Sequence, residues 1–289
     1  MKIGSLCTGY GGLDMAVESY FNAEMIWCAE IDKYASKLIE HRFDKPNLGD
    51  IKQIDWASVE PIDILTAGYP CQPFSTAGAR KGENDERHIW PYISKAISIL
   101  RPKIVILENV RGHLSLGFKE VLKDLAQNRY DAKWQVVRAS DVGAPHQRAR
   151  LFIIAYPISI GQPSRLTCRC ETSNTRIANN GCITNSNCDS RTESRRATSC
   201  IHIQGEGLRN GQNQRKARNE YRFSLQMDRQ KIPSTLDQDR LNVKFVEYMM
   251  GLNPGWVTDL PFTRAQQLKM LGNGVVPQQA YHALDLLCQ

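Results

Sequence analysis

The sequence predicts an α/β protein, a doubly wound and mostly parallel sheet with a small, polar second lobe. Three observations carry this expectation. From Met1 to Ala155, short apolar runs alternate with helix-period segments, the pattern of strands joined by crossover helices. The first run leads directly into a glycine-rich turn, Thr8-Gly9-Tyr10-Gly11-Gly12. From about Ile158 the composition turns to Ser, Thr, Asn, Arg and Gly, and apolar periodicity returns only near Leu241. Such a break marks either a small lobe or a loose insertion.

Taken in order, strands are expected at residues 2–7, 25–30, 62–67, 104–108, 134–139 and 151–156, with helices at 13–21 and 89–100 between them. Each strand candidate is short, apolar and bounded by turn-forming residues. A final helix is expected at 278–287, behind Pro277, whose fixed φ and missing N–H suit a first helical turn. The division expected is a catalytic domain over 1–157, a recognition lobe or basic insertion over 158–240, and a C-terminal segment over 241–289 that packs back on the first domain.

In a sheet of this kind ligands bind beyond the carboxyl ends of the strands, so the residues after each strand are the candidates for chemistry. After the first comes the Gly9-Tyr10-Gly11-Gly12 turn, opening a helix near Leu13. Glycines there let the backbone approach a ligand closely. No Gly-Lys-Ser/Thr sequence follows, which excludes a phosphate-cradling P-loop. Glu30 ends the second strand, where a carboxylate can grip ribose hydroxyls. Asp50, in Gly49-Asp50-Ile51, is expected at the next strand end as an acceptor for an adenine amino group.

The third strand is followed by Gly68-Tyr69-Pro70-Cys71-Gln72-Pro73-Phe74-Ser75. A cysteine between two prolines has a restricted backbone, which suits a thiolate that must attack in one geometry. Glu108-Asn109-Val110 ends the next apolar run, and a carboxylate there is costly unless paired or functional. His146-Gln147-Arg148-Ala149-Arg150 leads into the last strand; two residues apart, Arg148 and Arg150 point the same way if that stretch is extended.

Composition narrows the function classes. Hydrophobic residues make up 42 % and charged residues 23 % of the 289, a globular balance, and no apolar run is long enough to span a bilayer. A cytoplasmic location is expected, without a membrane partner. Nine cysteines, an odd number, point to reduced thiols rather than a disulfide framework. The net charge of +7 resides between Ile158 and Lys231, with 13 Lys/Arg against 6 Asp/Glu. That segment suits phosphate contacts and base-edge readout; its composition is equally that of a flexible insertion. It also holds Cys168, Cys170, Cys182, Cys188, Cys200 and His202, but no paired CxxC, and no metal is expected.

Together and in this order these segments resemble the C5-cytosine DNA methyltransferase family. The Thr8–Gly12 turn is similar to its cofactor loop, Tyr69-Pro70-Cys71-Gln72 to its nucleophile motif, Glu108-Asn109-Val110 to its acid motif, and His146–Arg150 to its paired-arginine motif. Gly272-Asn273-Gly274-Val275-Val276-Pro277 resembles the last motif, which returns to the cofactor pocket. The resemblance covers about 1–155 and 241 to the end, with two departures: Cys7 where the family often has Phe, and His146 where it often has Gln.

The resemblance implies a Rossmann-like fold that binds S-adenosyl-L-methionine through Gly9, Tyr10, Gly11, Gly12, Leu13, Glu30, Ile31, Asp50, Ile51, Asn273 and Val275. It implies Cys71, Glu108, Arg150 and Arg148 as the catalytic set. Cys71 would add to C6 of cytosine, Glu108 would bind N3 and the exocyclic amine, Arg150 would bind the O2 side, and Arg148 would support the loop. The target base would have to leave the helical stack, and residues 77–88 are a candidate lid. The partners expected are duplex DNA and, within a restriction-modification system, a cognate restriction endonuclease; the chain is expected to be a monomer. Three rivals stay open: a transfer-RNA cytosine methyltransferase on the same domain, a catalytically silent DNA-binding relative, and a nicotinamide-dependent oxidoreductase, in which the Pro-Cys-Gln motif has no role.

Overall fold

The computed structural model describes residues 1–70, 89–161 and 232–289. In chain order these form β1 (Lys2–Leu6), α1 (Gly12–Phe21), β2 (Glu24–Ala29), α2 (Lys33–Phe43), β3 (Ile64–Gly68), α3 (Trp90–Leu100), β4 (Ile104–Val110), α4 (Phe118–Gln127), β5 (Tyr130–Val137) and β6 (Arg150–Pro157). After the second gap come the two-residue strands β7 (Leu236–Asp237) and β8 (Arg240–Leu241), then α5 (Val243–Met249), α6 (Arg264–Asn273) and α7 (Pro277–Leu287).

The main sheet has the order β2-β1-β3-β4-β6-β5. Strands β1 to β4 pair in parallel, while β6 runs antiparallel to both β4 and β5. This is the mostly parallel, doubly wound sheet that the alternating pattern predicts. The exception has a physical cause: parallel neighbours need a crossover, usually a helix, and the β5–β6 connection contains only the 3-10 turn Ala139–Val142.

Helices cover both faces, so the central strands are apolar on both sides. Ile104 and Ile106 of β4 point into one cluster with α1, α2 and α7; Val105 and Leu107 point into the other with α3 and α4. Each such side chain, fully buried, stabilises the fold by about 1.5–3 kcal/mol. The C-terminal helix α7 belongs to the first layer, where Ala280, Ala283 and Leu284 pack with Ala16 and Val17 of α1. Gln279 fastens it to the sheet edge, donating to the carbonyls of Val137 and Arg148 at 2.8 Å each.

Two expectations need correction. The fifth strand begins at Tyr130, earlier than 134, because β5 is an edge strand: it pairs with β6 through its backbone from Tyr130 onward, while Asp131, Lys133 and Gln135, which share one face, are exposed. Polar residues on that face hide the strand from an apolar reading. Asp50 does not end a strand either. Residues 44–50 make a single bridge, between Cys28 and Asn47, and Pro46 has no N–H with which to extend the ladder.

Candidate active site

The carboxyl ends of β1 to β4 meet along one edge of the sheet, and the reversed β6 starts there with Arg150. β1 runs into the glycine loop, where Gly9 adopts φ +59° and nothing lies within 4 Å of the place a Cβ would take. At Gly12 the opposite holds, since a Cβ would strike the Val275 carbonyl and the Tyr10 ring. The loop is thus pressed against the Gly274-Val275 segment on one side and open on the other.

Tyr10 bolts the two together. Its ring is fully buried, its hydroxyl donates to the Val275 carbonyl at 2.7 Å, and its own carbonyl accepts from Trp256 Nε1 at 3.0 Å. Tyr10, Leu13, Ile51 and Val275 all have buried side chains, which leaves mainly their backbones to face a ligand. Asn273 is exposed.

At the open side, the Glu30 carboxylate accepts from Gly9 N and from Asp32 N, each at 2.8 Å. Burial raises its pKa, partly opposed by those two N–H groups. Beside it, Ile31 is 73 % exposed. A pre-oriented carboxylate next to an apolar platform, with open space above Gly9, fits an adenosyl group: the carboxylate suits ribose hydroxyls and the platform suits a flat base. Asp50 is half-buried in a turn, with Oδ1 accepting from Lys52 N at 3.0 Å.

Sequence reasoning missed Asn47, which joins these parts. Its Oδ1 accepts from Glu30 N at 2.9 Å and Gly49 N at 3.0 Å, and its Nδ2 donates to the Glu30 carbonyl and Ser36 Oγ, each at 3.0 Å. The only signal was a turn-forming Pro-Asn pair.

Glu108 lies opposite Gly68 across the β3–β4 pairing. It is 6 % exposed, and its Oε1 sits 3.0 Å from Arg150 Nε. Desolvation pushes its pKa up to about 7; Arg150 and Arg148 pull the other way without cancelling it. Register explains the contact, because Glu108 faces Phe152 and Arg150 is two residues from Phe152 on the same face. Arg150 Nη1 also donates to the Ala149 carbonyl at 3.2 Å.

Arg148 does not point alongside Arg150. Its φ of +34° takes it out of the extended run, and its Nη2 donates to the carbonyls of Gly272 and Gly274 at 2.7 Å each. It therefore latches the last motif, while its charge still acts on Glu108 and Arg150. His146 Nε2 lies 2.9 Å from the Met249 carbonyl, so that nitrogen carries the proton and donates. Cys7 adopts φ +53°, and burial, with Glu30 nearby, pushes its thiol up to about 12.

Asn109 Nδ2 donates to the Tyr69 carbonyl at 3.2 Å, tying the end of β4 to the residue that precedes Pro70-Cys71. Cys71 itself, residues 77–88, and the Cys168–His202 set lie outside the described residues. Among the described residues no group of His, Cys, Asp and Glu could hold a metal ion, and no helix is long and apolar enough to cross a membrane.

A doubly wound sheet with a glycine loop after β1 and a carboxylate after β2 defines a nucleotide-cofactor-binding α/β protein. The chain belongs to the C-5 cytosine-specific DNA methylase family, whose model matches residues 1–287. Among curated relatives it is 35 % identical over 164 residues to the type II methyltransferase M.Bsp6I of Bacillus sp. (strain RFL6), covering 54 % of this chain and 52 % of that one. It is 35 % identical over 161 residues to the type II methyltransferase M.HhaI of Haemophilus parahaemolyticus, covering 54 % and 49 %. The chain spans about half the length of the curated relatives it matches. Among solved structures, the S. pombe Dnmt2 methyltransferase superposes with a TM-score of 0.61 at 16 % identity, over 99 % of both chains. The Entamoeba histolytica methyltransferase EhMeth gives 0.59 at 18 %, over 100 % of this chain and 99 % of that one. At such identities the likeness concerns the fold.

Proposed function

We propose that the chain is a DNA (cytosine-5-)-methyltransferase that transfers a methyl group from S-adenosyl-L-methionine to C5 of a cytosine flipped out of duplex DNA, with Cys71 as the covalent nucleophile. The observation that carries this reading is Glu108, a buried carboxyl at a strand end whose pKa of about 7 makes its protonated form accessible near neutrality. An acid poised there can donate to a ring nitrogen as negative charge develops.

Cytosine C5 is too weak a nucleophile while the ring is aromatic. The Cys71 thiolate adds to C6, and the C5=C6 electron pair becomes available at C5. Glu108 hydrogen-bonds N3 and the exocyclic amine and supplies the proton that neutralises the ring, while Arg150 holds the O2 side. Glu30, Ile31 and the Gly9–Gly12 backbone would hold S-adenosyl-L-methionine, which would supply an electrophilic methyl group for C5. Loss of the C5 proton to a base then re-forms C5=C6 and expels the thiolate, and the N3 proton returns to Glu108. Arg148 keeps the Gly272–Val275 segment in place.

In this reading residues 1–157 and 241–289 form the catalytic unit and 158–240 the DNA-recognition lobe. The protein works as a cytoplasmic monomer, partnered by a cognate restriction endonuclease as part of a restriction-modification system. Type II methyltransferase relatives support the last point.

The test is methyl transfer from labelled S-adenosylmethionine to cytosine-unmethylated duplex DNA and, separately, to transfer RNA. Labelling of DNA alone supports the reading, and labelling of transfer RNA alone overturns the DNA substrate. Cys71→Ser should abolish turnover and leave cofactor binding near normal; full retained activity removes Cys71 from the mechanism.

A further inference from the structure

The chain enters the Pro70-Cys71 segment from Tyr69, and Tyr69 is held at both its backbone and its side chain. Asn109 holds its carbonyl. Its hydroxyl lies 3.0 Å from His113 Nε2, in a fully buried pair that joins residues 44 positions apart. The His113 ring is gripped edge-on between Tyr69, at 5.7 Å and 85°, and Phe118, at 6.1 Å and 66°. Tyr69 in turn leans on Trp90, at 5.7 Å, whose Nε1 donates to Asp124 Oδ2 at 2.8 Å. Burial lowers the His113 pKa, which favours the neutral imidazole, able to exchange one hydrogen bond with a hydroxyl. The Leu116 backbone pulls the other way, more weakly.

Loss of a buried hydrogen bond costs about 0.5–1.5 kcal/mol net and removes one of the ties that hold Tyr69, to whose backbone Pro70 and, through it, Cys71 are joined. Small displacements of a reacting group cost large factors in rate. We propose that His113 is a positioning residue for methyl transfer: by fixing Tyr69 it fixes the point from which the nucleophile segment leaves β3. This rests on the assignment of Cys71 as the nucleophile. His113 is too buried to touch substrate, and it acts only through Tyr69.

The test compares wild type, His113→Phe, Tyr69→Phe and His113→Gln. His113→Gln offers an amide in place of the imidazole Nε2 and so restores that hydrogen bond. Each is assayed for kcat and for the KM of S-adenosylmethionine on cytosine-unmethylated duplex DNA, for Tm, and for covalent trapping on DNA copied with 5-fluorocytosine. We expect His113→Phe and Tyr69→Phe to lower kcat and trapping rate about tenfold or more, with cofactor KM within about twofold of wild type and His113→Gln recovering most of the rate. The role is overturned if kcat in the two phenylalanine variants stays within about twofold of wild type. It is equally overturned if kcat, KM and Tm decline in step, or if His113→Gln is as slow as His113→Phe. An active wild type that traps no adduct overturns the Cys71 assignment, and the positioning role falls with it. A wild type that traps while His113→Phe traps equally fast overturns the positioning role alone.

Discussion

Buried Glu108 and half-buried Arg150 form an ion pair, 3.0 Å from Oε1 to Nε, although neither is near the other in sequence. The reversed strand makes the pair possible: antiparallel pairing of β4 with β6 brings the end of one strand beside the start of the other, on one face of the sheet. Desolvation still outweighs the guanidinium, and the carboxyl titrates near 7. Its proton is thus held loosely enough to donate and tightly enough to be present.

Replacing Glu108 by glutamine tests this in two ways. Activity should fall by about 10²–10⁴-fold, and the wild-type rate should decline as pH rises past about 7, where the acid loses its proton. Stability should respond with a definite sign. Between the ordinary carboxyl value of 4.5 and about 7 the folded protein holds a proton that the unfolded chain has lost, so stability falls as pH rises through that window. The loss is on the order of 3 kcal/mol, and Glu108→Gln should remove it. Buried Asp14, pushed up to about 6, contributes in the same direction, so the measurement is the difference between the two proteins' urea midpoints across pH 4.5–7.5. An identical slope for both would reject a raised Glu108.

Arg148→Met should act on a different quantity. The guanidinium holds the carbonyls of Gly272 and Gly274, and hydrogen bonds to charged groups contribute about 1.5–3 kcal/mol each. A fall in Tm with a rise in cofactor KM larger than the fall in kcat is expected. A variant with wild-type KM and Tm but lost kcat would instead put Arg148 at the base.

Legibility followed the range of the interactions. Strands β1 to β4 could be read because each is buried on both faces, and Glu108 because a carboxylate ending such a run stands out against its neighbours. Strand β5 was misplaced because one face is wet. The resemblance implied different roles for Arg148 and Arg150, but the contacts that hold Arg148 were invisible, since they depend on a left-handed backbone at one residue and on a carbonyl 126 positions away. Asn47 and the Tyr69–His113 pair escaped for the same reason: a single polar residue carries no periodic signal, and its partners are set by the fold.

Asn47→Ala should separate cofactor capture from chemistry. The amide bonds the Glu30 backbone on both sides and also Gly49 N, so its loss frees the strand end that aims the Glu30 carboxylate. These groups are exposed, and water can replace part of what is lost, so the stability cost should stay near 1 kcal/mol. Cofactor affinity measured by calorimetry is expected to weaken about tenfold, with kcat at saturating cofactor nearly unchanged. An unaltered affinity would mean that Glu30 holds its place without Asn47.

Gly274→Ala places a methyl group where the Tyr10 ring now lies, and the ring cannot retreat because it is fully buried and bonded to the Val275 carbonyl. Overpacking of this kind costs about 1–3 kcal/mol, and Tyr10→Leu alone should cost a similar amount through the lost ring and hydrogen bond. In the double variant the smaller side chain vacates the space the methyl group needs, so the two losses should sum to more than the double variant's measured loss. A coupling of about 1 kcal/mol or more in chemical denaturation is the expected outcome of that cycle. Strict additivity would mean that the glycine loop and the last motif relax independently, and that Tyr10 does not join them.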